Sequence, residues 1–340
     1  FFMIDAFEKI PVQIFPSPIE GSAFVAQEIA ALIKEKASQG KNCVLGLATG
    51  STPIKLYKEL VRLHKEEGLS FKNVITFNLD EYFPIEQDAP QSYWSFMHHH
   101  LFNHIDIDSK NIHIPSGKWP KEEIKKYCAE YDAAIVKAGG IDLQILGIGG
   151  NGHIGFNEPG SSIISKTRLV NLANNTRLAN AYEFSHLSKV PRLAVTMGIG
   201  TIMQSKRILL MAFGNKGEII TKAAEGDVTE QVPASILQEH PDCTFIIDPT
   251  VSESLTRIKS PWLTGNCVWD KKLMKRAVIE LSLKLGKEVL SLTAKDYNEN
   301  GLADLLVEKS DAYEINLEVF YMLRDSLTGW PAGKPNAVIP

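Results

Sequence analysis

An α/β fold built on a mostly parallel sheet with helices on both faces is predicted by the order of patterns along this chain. Short apolar runs of strand length alternate with longer amphipathic runs of helical period, and no repeat or low-complexity tract interrupts them. At 340 residues, 44% hydrophobic and 22% charged, the chain can bury a large core. Its net charge of −4 comes from 36 basic and 40 acidic residues without a basic block, so neither nucleic acid nor an anionic membrane is an expected partner. No apolar run reaches the length of a membrane span, and Phe1-Phe2-Met3 leads into IDAFEKI without a signal-peptide core. Cys43, Cys128, Cys243 and Cys267 are far apart and form no CxxC pair, which fits a reducing compartment without structural zinc; a cytoplasmic protein is expected.

The first helix is expected from a cap at Ser22 to about Ser38, with Val25, Ile29, Leu32 and Ile33 on one face and Gly40 past its end. A strand over residues 42–47 follows and runs into Ala48-Thr49-Gly50-Ser51-Thr52-Pro53. There Thr52 can cap, and Pro53 can take the first position of a helix reaching Glu67. Free amides at that N-terminus, with the hydroxyls of Thr49, Ser51 and Thr52, suit a phosphate, whereas the missing GKS or GKT speaks against a nucleotide P-loop. A plain strand-to-helix turn is the competing reading.

Residues 74–79 read as the next strand and place Asp80-Glu81-Tyr82 at its C-terminal end, where ligands bind in open parallel sheets. Successive side chains alternate faces, so one acid points into the crevice, and Asp80 is taken as that one. His98-His99-His100 with His104 has a metal-like look, but consecutive helical residues diverge and HExxH is absent, so a packed or solvated helix is expected and no metal site. An amphipathic helix begins at Pro120 and ends at Gly139-Gly140.

Residues 142–161, DLQILGIGGNGHIGFNEPGS, join a buried strand to a loop in which Gly147, Gly149, Gly150 and Gly152 let the backbone turn sharply and come close to a ligand. Gly147 is counted among the substrate contacts. His153 and Glu158 follow, an imidazole beside a carboxylate that can fix its tautomer, which suits proton transfer at a sugar oxygen. The glycine spacing matches the dinucleotide fingerprint, but Pro159 cuts off any long helix and no acid lies between Glu158 and Glu183, so no nicotinamide site is expected. A loop histidine with a purely structural partner is the alternative. Residues 163–194 are polar and irregular, a movable lid or a surface excursion. Strands over 193–196, 208–213 and 244–247 complete the pattern, with Lys216 able to reach an anion as a point charge.

LATGSTP, FNLDEY and GNGHIGFNEPGS, in this order and at these spacings, resemble the glucosamine-6-phosphate deaminase family. The resemblance covers about residues 12–255 and includes SYWSFMHHHLF, VPRLAVTMGIGTIM and ILQEHPDCTFIID. The 6-phosphogluconolactonases share the fold but carry DER and GDGHTASLFP where this chain has DEY and GNGHIGFNEP. The resemblance implies a three-layer, modified Rossmann-like fold and conversion of glucosamine 6-phosphate and water to fructose 6-phosphate and ammonia, with no metal or redox cofactor. It implies that His153 opens the pyranose ring with Glu158 orienting it, that Asp80 moves the C2 proton to C1, and that Gly50, Ser51 and Thr52 take the phosphate.

Several positions depart from the family pattern. Asn151 stands where many relatives have an Asp that assists the histidine, and it keeps a hydrogen bond without the charge. Tyr182 stands where many relatives grip the phosphate with a lid arginine, and Lys216 aligns with the phosphate lysine if one residue is deleted after Gly214. Ser161 and Arg168 match an effector site of allosteric relatives, but Val170 replaces its lysine, so activation by N-acetylglucosamine 6-phosphate is not expected. An enzyme acting on a different phosphosugar and a non-catalytic sugar-phosphate sensor stay open beside the deaminase reading. Residues 1–255 are expected to form the catalytic domain and 256–340 a mainly helical extension, with helices over 271–285 and 313–327 and a linker over 329–335. Extended relatives often continue into a deacetylase-like domain, so the extension is expected to serve as a docking element, a homo-oligomer contact or a brace.

Overall fold

Uninterrupted runs of buried residues make the central sheet: all five residues of Cys43–Leu47 and all five of Cys243–Ile247 are buried, as strands covered on both faces require. The computed structural model describes residues 7–309 and 311–328, which fall into two compact units, Phe7–Leu255 and the described residues from Thr256 onward. The linker expected over 329–335 lies outside the described residues.

In the first unit the strands are β1 (Val12–Ile14), β2 (Cys43–Leu47), β3 (Val74–Asn78), β4 (Asp80–Phe83), β5 (Ile112–His113), β6 (Leu143–Leu146), β7 (Arg168–Asn171), β8 (Leu193–Thr196), β9 (Arg207–Ala212) and β10 (Cys243–Ile247). Between them run the helices α1 (Pro18–Ser38), α2 (Ile54–Glu67), α3 (Tyr93–His100), α4 (Ile124–Lys137), α5 (Asn174–Ala179), α6 (Ile199–Ile202) and α7 (Gly217–Glu225), with α8 (Pro249–Ser252) at the end. Seven strands form one sheet in the order β1-β10-β9-β6-β2-β3-β5, every neighbouring pair parallel. Along β2 and β9 the apolar residues alternate between two cores: Val44, Ile208 and Leu210 on one face, Leu45, Leu47, Leu209 and Met211 on the other. The result is the three-layer Rossmann-like α/β fold.

Strand order reverses between β2 and β6. From β2 the chain builds toward β3 and β5, then returns through β6 to build the opposite edge, so the loops after β2 and β6 open from each other at a topological switch point. The FNLDEY stretch does more than end a strand. The chain leaves the main sheet at Leu79, whose amide still bonds Leu47 O at 3.1 Å, and Asp80 opens β4 of a separate antiparallel sheet, β4-β8-β7, with Asp80 opposite Thr196.

Three helix starts differ from expectation, and one of them is α4, which begins at Ile124 rather than at Pro120. α1 begins four residues before Ser22, because Ser17 Oγ accepts from Glu20 N at 3.3 Å and Pro18 supplies a helical φ at the first position; Ser22 is buried inside the helix. At α2, Pro53 is itself the cap residue and no side chain caps the helix, which leaves its leading amides free. The stretch 163–194, expected to be irregular, carries β7, α5 and the start of β8.

The second unit consists of α9 (Thr256–Lys259), α10 (Lys271–Leu285), α11 (Ala294–Glu299), α12 (Ala303–Lys309) and α13 (Ala312–Thr328), together with short turns. α10 has the bounds its apolar period gives, with Asp270 capping Leu273 N at 2.7 Å and Gly286 closing it at φ 62°. Met274, Val278, Leu281, Tyr297, Leu305, Ile315 and Val319 make a separate core, where the Tyr297 hydroxyl donates to Asn316 Oδ1 at 2.7 Å.

Candidate active site

The two loops at the switch point, together with α5 and the turn before α7, enclose a cavity of about 360 Å³. Thr49, Gly50, Ser51 and Thr52 line it from the β2 loop, Gly147 and His153 from the β6 loop, Asp80 from β4 and Lys216 from the turn before α7. With α5 and with Tyr93 at the start of α3, residues from six separated stretches of sequence line one cavity.

His153 is held from behind by two side chains in series. Its Nδ1 lies 2.7 Å from Asn151 Oδ1, and Asn151 Nδ2 donates to Glu158 Oε2 at 2.7 Å. A carboxylate can only accept, so the amide of Asn151 must present its nitrogen to Glu158 and its oxygen to the ring. His153 then carries its proton on Nδ1 and leaves Nε2 as an acceptor. Glu158 Oε1 accepts from Thr176 Oγ1 at 2.5 Å and from Ala173 N at 3.3 Å, tying α5 to the relay. Burial would raise the Glu158 carboxyl, but hydrogen bonding and charge from His153, with the Thr176 and Asn151 donors, hold it down to about 2. Glycine is required beside the ring, because a Cβ on Gly149 would fall inside the His153 imidazole. Glu158 Oε2 lies 3.5 Å from His153 Nδ1, beside the ring as the sequence suggests, and Asn151 bridges the two.

Asp80 and Glu81 point to opposite sides of β4, as the alternation of an extended chain requires. Asp80 lines the cavity, 6% exposed, with no hydrogen bond to its carboxylate among the described residues. Burial, and after it the Glu81 charge, holds the Asp80 carboxyl well above the usual range. Gly155, at φ 56°, lets the loop backbone pass over it, and a Cβ there would lie 3.3 Å from Asp80 Oδ2 and 3.0 Å from Thr196 Oγ1.

The proposed phosphate cradle is the uncapped start of α2. Gly50 takes φ 92°, Ser51 and Thr52 follow in the turn, and all three line the cavity with Thr49. Lys216 faces it from the start of α7 with no carboxylate partner among the described residues, and burial lowers its ammonium. Tyr182 stands at the rim, 73% exposed, and its hydroxyl donates to Glu183 Oε1 at 2.9 Å. Gly147 also lines the cavity, and a Cβ there would meet open space, so its conformation needs no glycine.

The sequence profile of the glucosamine-6-phosphate isomerases/6-phosphogluconolactonase family matches residues 17–246. The chain belongs to that family. A Bacteroides thetaiotaomicron protein named as glucosamine-6-phosphate deaminase-like is 45% identical over 331 residues, which are 97% of this chain and 50% of that protein; the chain thus spans about half the length of that relative. The glucosamine-6-phosphate deaminase of Thermoanaerobacter pseudethanolicus is 51% identical over 66% of this chain and 88% of its own length. A solved monomeric glucosamine-6-phosphate deaminase superposes with a TM-score of 0.69 at 43% identity, covering 72% of this chain and all of that one. The 6-phosphogluconolactonase of Trypanosoma brucei, at 20% identity and TM-score 0.58 over 73% of this chain and 99% of that one, shares the fold.

Within this family fold, several residues around the cavity escaped the sequence reading. Thr176, Asn180 and Glu183 come from the stretch taken as irregular, and Tyr93 from the start of α3. The histidine run lies elsewhere: His98 stacks on Trp94 with ring centroids 3.7 Å apart, and His104 Nε2 lies 2.9 Å from His99 O. Among the described residues no helix is long and apolar enough to cross a membrane.

Proposed function

We propose that this chain is an aminosugar-phosphate deaminase that converts glucosamine 6-phosphate and water to fructose 6-phosphate and ammonia. One observation carries the reading: an unpaired carboxylate, Asp80, shares a cavity with the His153–Asn151–Glu158 relay and with a cationic cradle formed by Lys216 and the start of α2. The named activities of the relatives at 43–51% identity support it.

The phosphate sits at the free amides of α2 with the hydroxyls of Ser51 and Thr52, and Lys216 supplies the counter-charge. His153 Nε2 takes the proton of the C1 hydroxyl and passes it to the ring oxygen as the bond between that oxygen and C1 breaks, which opens the pyranose to the aldehyde. Glu158, through Asn151, stabilises the imidazolium that forms. Asp80 takes the C2 proton and returns it to C1 while one amino proton passes to the C1 oxygen, leaving an imine at C2 and a hydroxyl at C1. Water adds there, and ammonia leaves with the ketone formed. A buried carboxylate whose affinity for protons is raised suits this transfer, because carbon acids are weak.

A different phosphosugar is favoured by one feature. Lys216 is the one lysine or arginine lining the cavity among the described residues, and Tyr182 and Glu183 occupy the rim. Solvent-deuterium exchange at C2 tests the proposed base. Asp80→Asn should bind glucosamine 6-phosphate and exchange no C2 proton; exchange at the wild-type rate would remove Asp80 from the role. In the full-length protein a deacetylase-like domain after the helical unit, and a cytoplasmic setting, complete the proposal.

A further inference from the structure

We propose that Glu81 is a positioning residue for Asp80: its buried carboxylate ties β4 to the first turn of α3 and sets a negative charge behind the residue that moves the proton. The inference rests on the reading of Asp80 as the C2 base. Glu81 is 2% exposed and lies on the side of β4 away from the active cavity. Its Oε1 accepts from Tyr82 N at 2.9 Å and Tyr93 N at 3.0 Å, and its Oε2 from Trp94 N at 3.1 Å. Ser92 Oγ accepts from Ser95 N at 3.0 Å, so α3 already has an ordinary cap.

A second, ionisable cap drawn from a strand is costly for a helix of this length. Burial pushes the Glu81 carboxyl up to about 7 even against three amide donors. The placement has a geometric consequence. Tyr93, the first residue of α3, lines the cavity with Asp80, so one carboxylate fixes two of its walls. It also has an electrostatic one, because Glu81 adjoins Asp80 in the chain.

The groups around both acids are few. Asp80 interacts with Tyr82 on its own strand, Tyr93 from α3 and Tyr131 from α4, and shares its cavity with His153, Glu183 and Lys216. Glu81 faces Tyr127 from α4 and, across a smaller cavity of about 130 Å³, Lys118, which is itself paired with Glu86. Of these groups, Glu81 is the one whose charge lifts Asp80.

The test is the pH dependence of kcat/KM on glucosamine 6-phosphate for wild type, Glu81→Gln and Glu81→Asp. Glutamine keeps a carbonyl for the amides and loses the charge, so the acid limb should move to lower pH by about half a unit or more. Aspartate keeps the charge but falls short of α3, so kcat should drop with the limb unmoved. If both variants lose rate with an unmoved limb, Glu81 is a fold residue only and the proposal is overturned. Carboxyl ¹³C NMR of wild type gives a readout without either Glu81 variant: the Asp80 carboxyl should lose its proton at higher pH than the Glu81 carboxyl, and an Asp80 that ionises before Glu81 would overturn the coupling. Should wild type leave glucosamine 6-phosphate untouched, the deaminase reading fails by itself, and the NMR result decides the role of Glu81.

Discussion

Asn151 stands between His153 and Glu158, accepting from the ring at 2.7 Å and donating to the carboxylate at 2.7 Å. A neutral amide thus connects the imidazole to its counter-charge, and its fixed orientation sets the tautomer. Asn151→Leu breaks both bonds at similar volume. Turnover of the cyclic substrate should fall by about 10²-fold or more, the usual contribution of a positioned acid–base group, while an open-chain analogue loses little. Equal losses on both substrates would place the role of His153 outside ring opening.

Thr176 ties α5 to the same relay, and its effect should depend on pH. Glu158 is held from the usual 4.5 to about 2, so its hydrogen bonds contribute stability that is fully present above about pH 4.5 and is lost as pH falls toward 2. Thr176→Val should lower Tm at pH 7 and make no difference near pH 2. A Tm loss of the same size at both pH values would contradict the assignment.

Gly149 and Gly147 make a matched pair. Gly149→Ala should displace the His153 ring and cut kcat, because the methyl has no other place to go. Gly147→Ala should leave Tm unchanged, since its methyl meets open space, and act on substrate binding alone. Differential scanning calorimetry with steady-state kinetics separates the two.

Lys216 and Tyr182 should differ in weight. Lys216→Ala removes the cavity's cation and should raise KM for phosphorylated substrate by about 10- to 100-fold, the 1.5–3 kcal/mol typical of charged hydrogen bonds. Tyr182→Phe should cost far less, because that hydroxyl is exposed and already donates to Glu183. A silent Lys216→Ala, with unphosphorylated aminosugars handled equally well, would make the cradle an ordinary turn.

Much of this arrangement was legible in the sequence, and the reasons differ by element. The strands of the main sheet announce themselves as short apolar runs because both faces are buried, and α10 because one apolar stripe runs between Asp270 and Gly286. The glycine loop and Asp80 of FNLDEY both follow apolar runs of strand length, which is the signal that put them at strand ends, and both line the one cavity. β4 was hidden, since its pairing with β8 joins positions more than a hundred residues apart and Leu79 gives no sign that the chain changes sheets. Ser17-Pro18 is a stronger start signal than Ser22, because proline fixes a helical φ at the first position behind a capping serine. Thr176 behind Glu158 depends on the tertiary placement of α5, which no local pattern states.

The central claim is tested most directly by incubating the purified chain with glucosamine 6-phosphate and measuring ammonia and fructose 6-phosphate together. Stoichiometric release of the two, abolished in Asp80→Asn, is the result this account predicts. Saturable binding of glucosamine 6-phosphate with neither product formed would contradict it and make the cavity a sensor of phosphosugars.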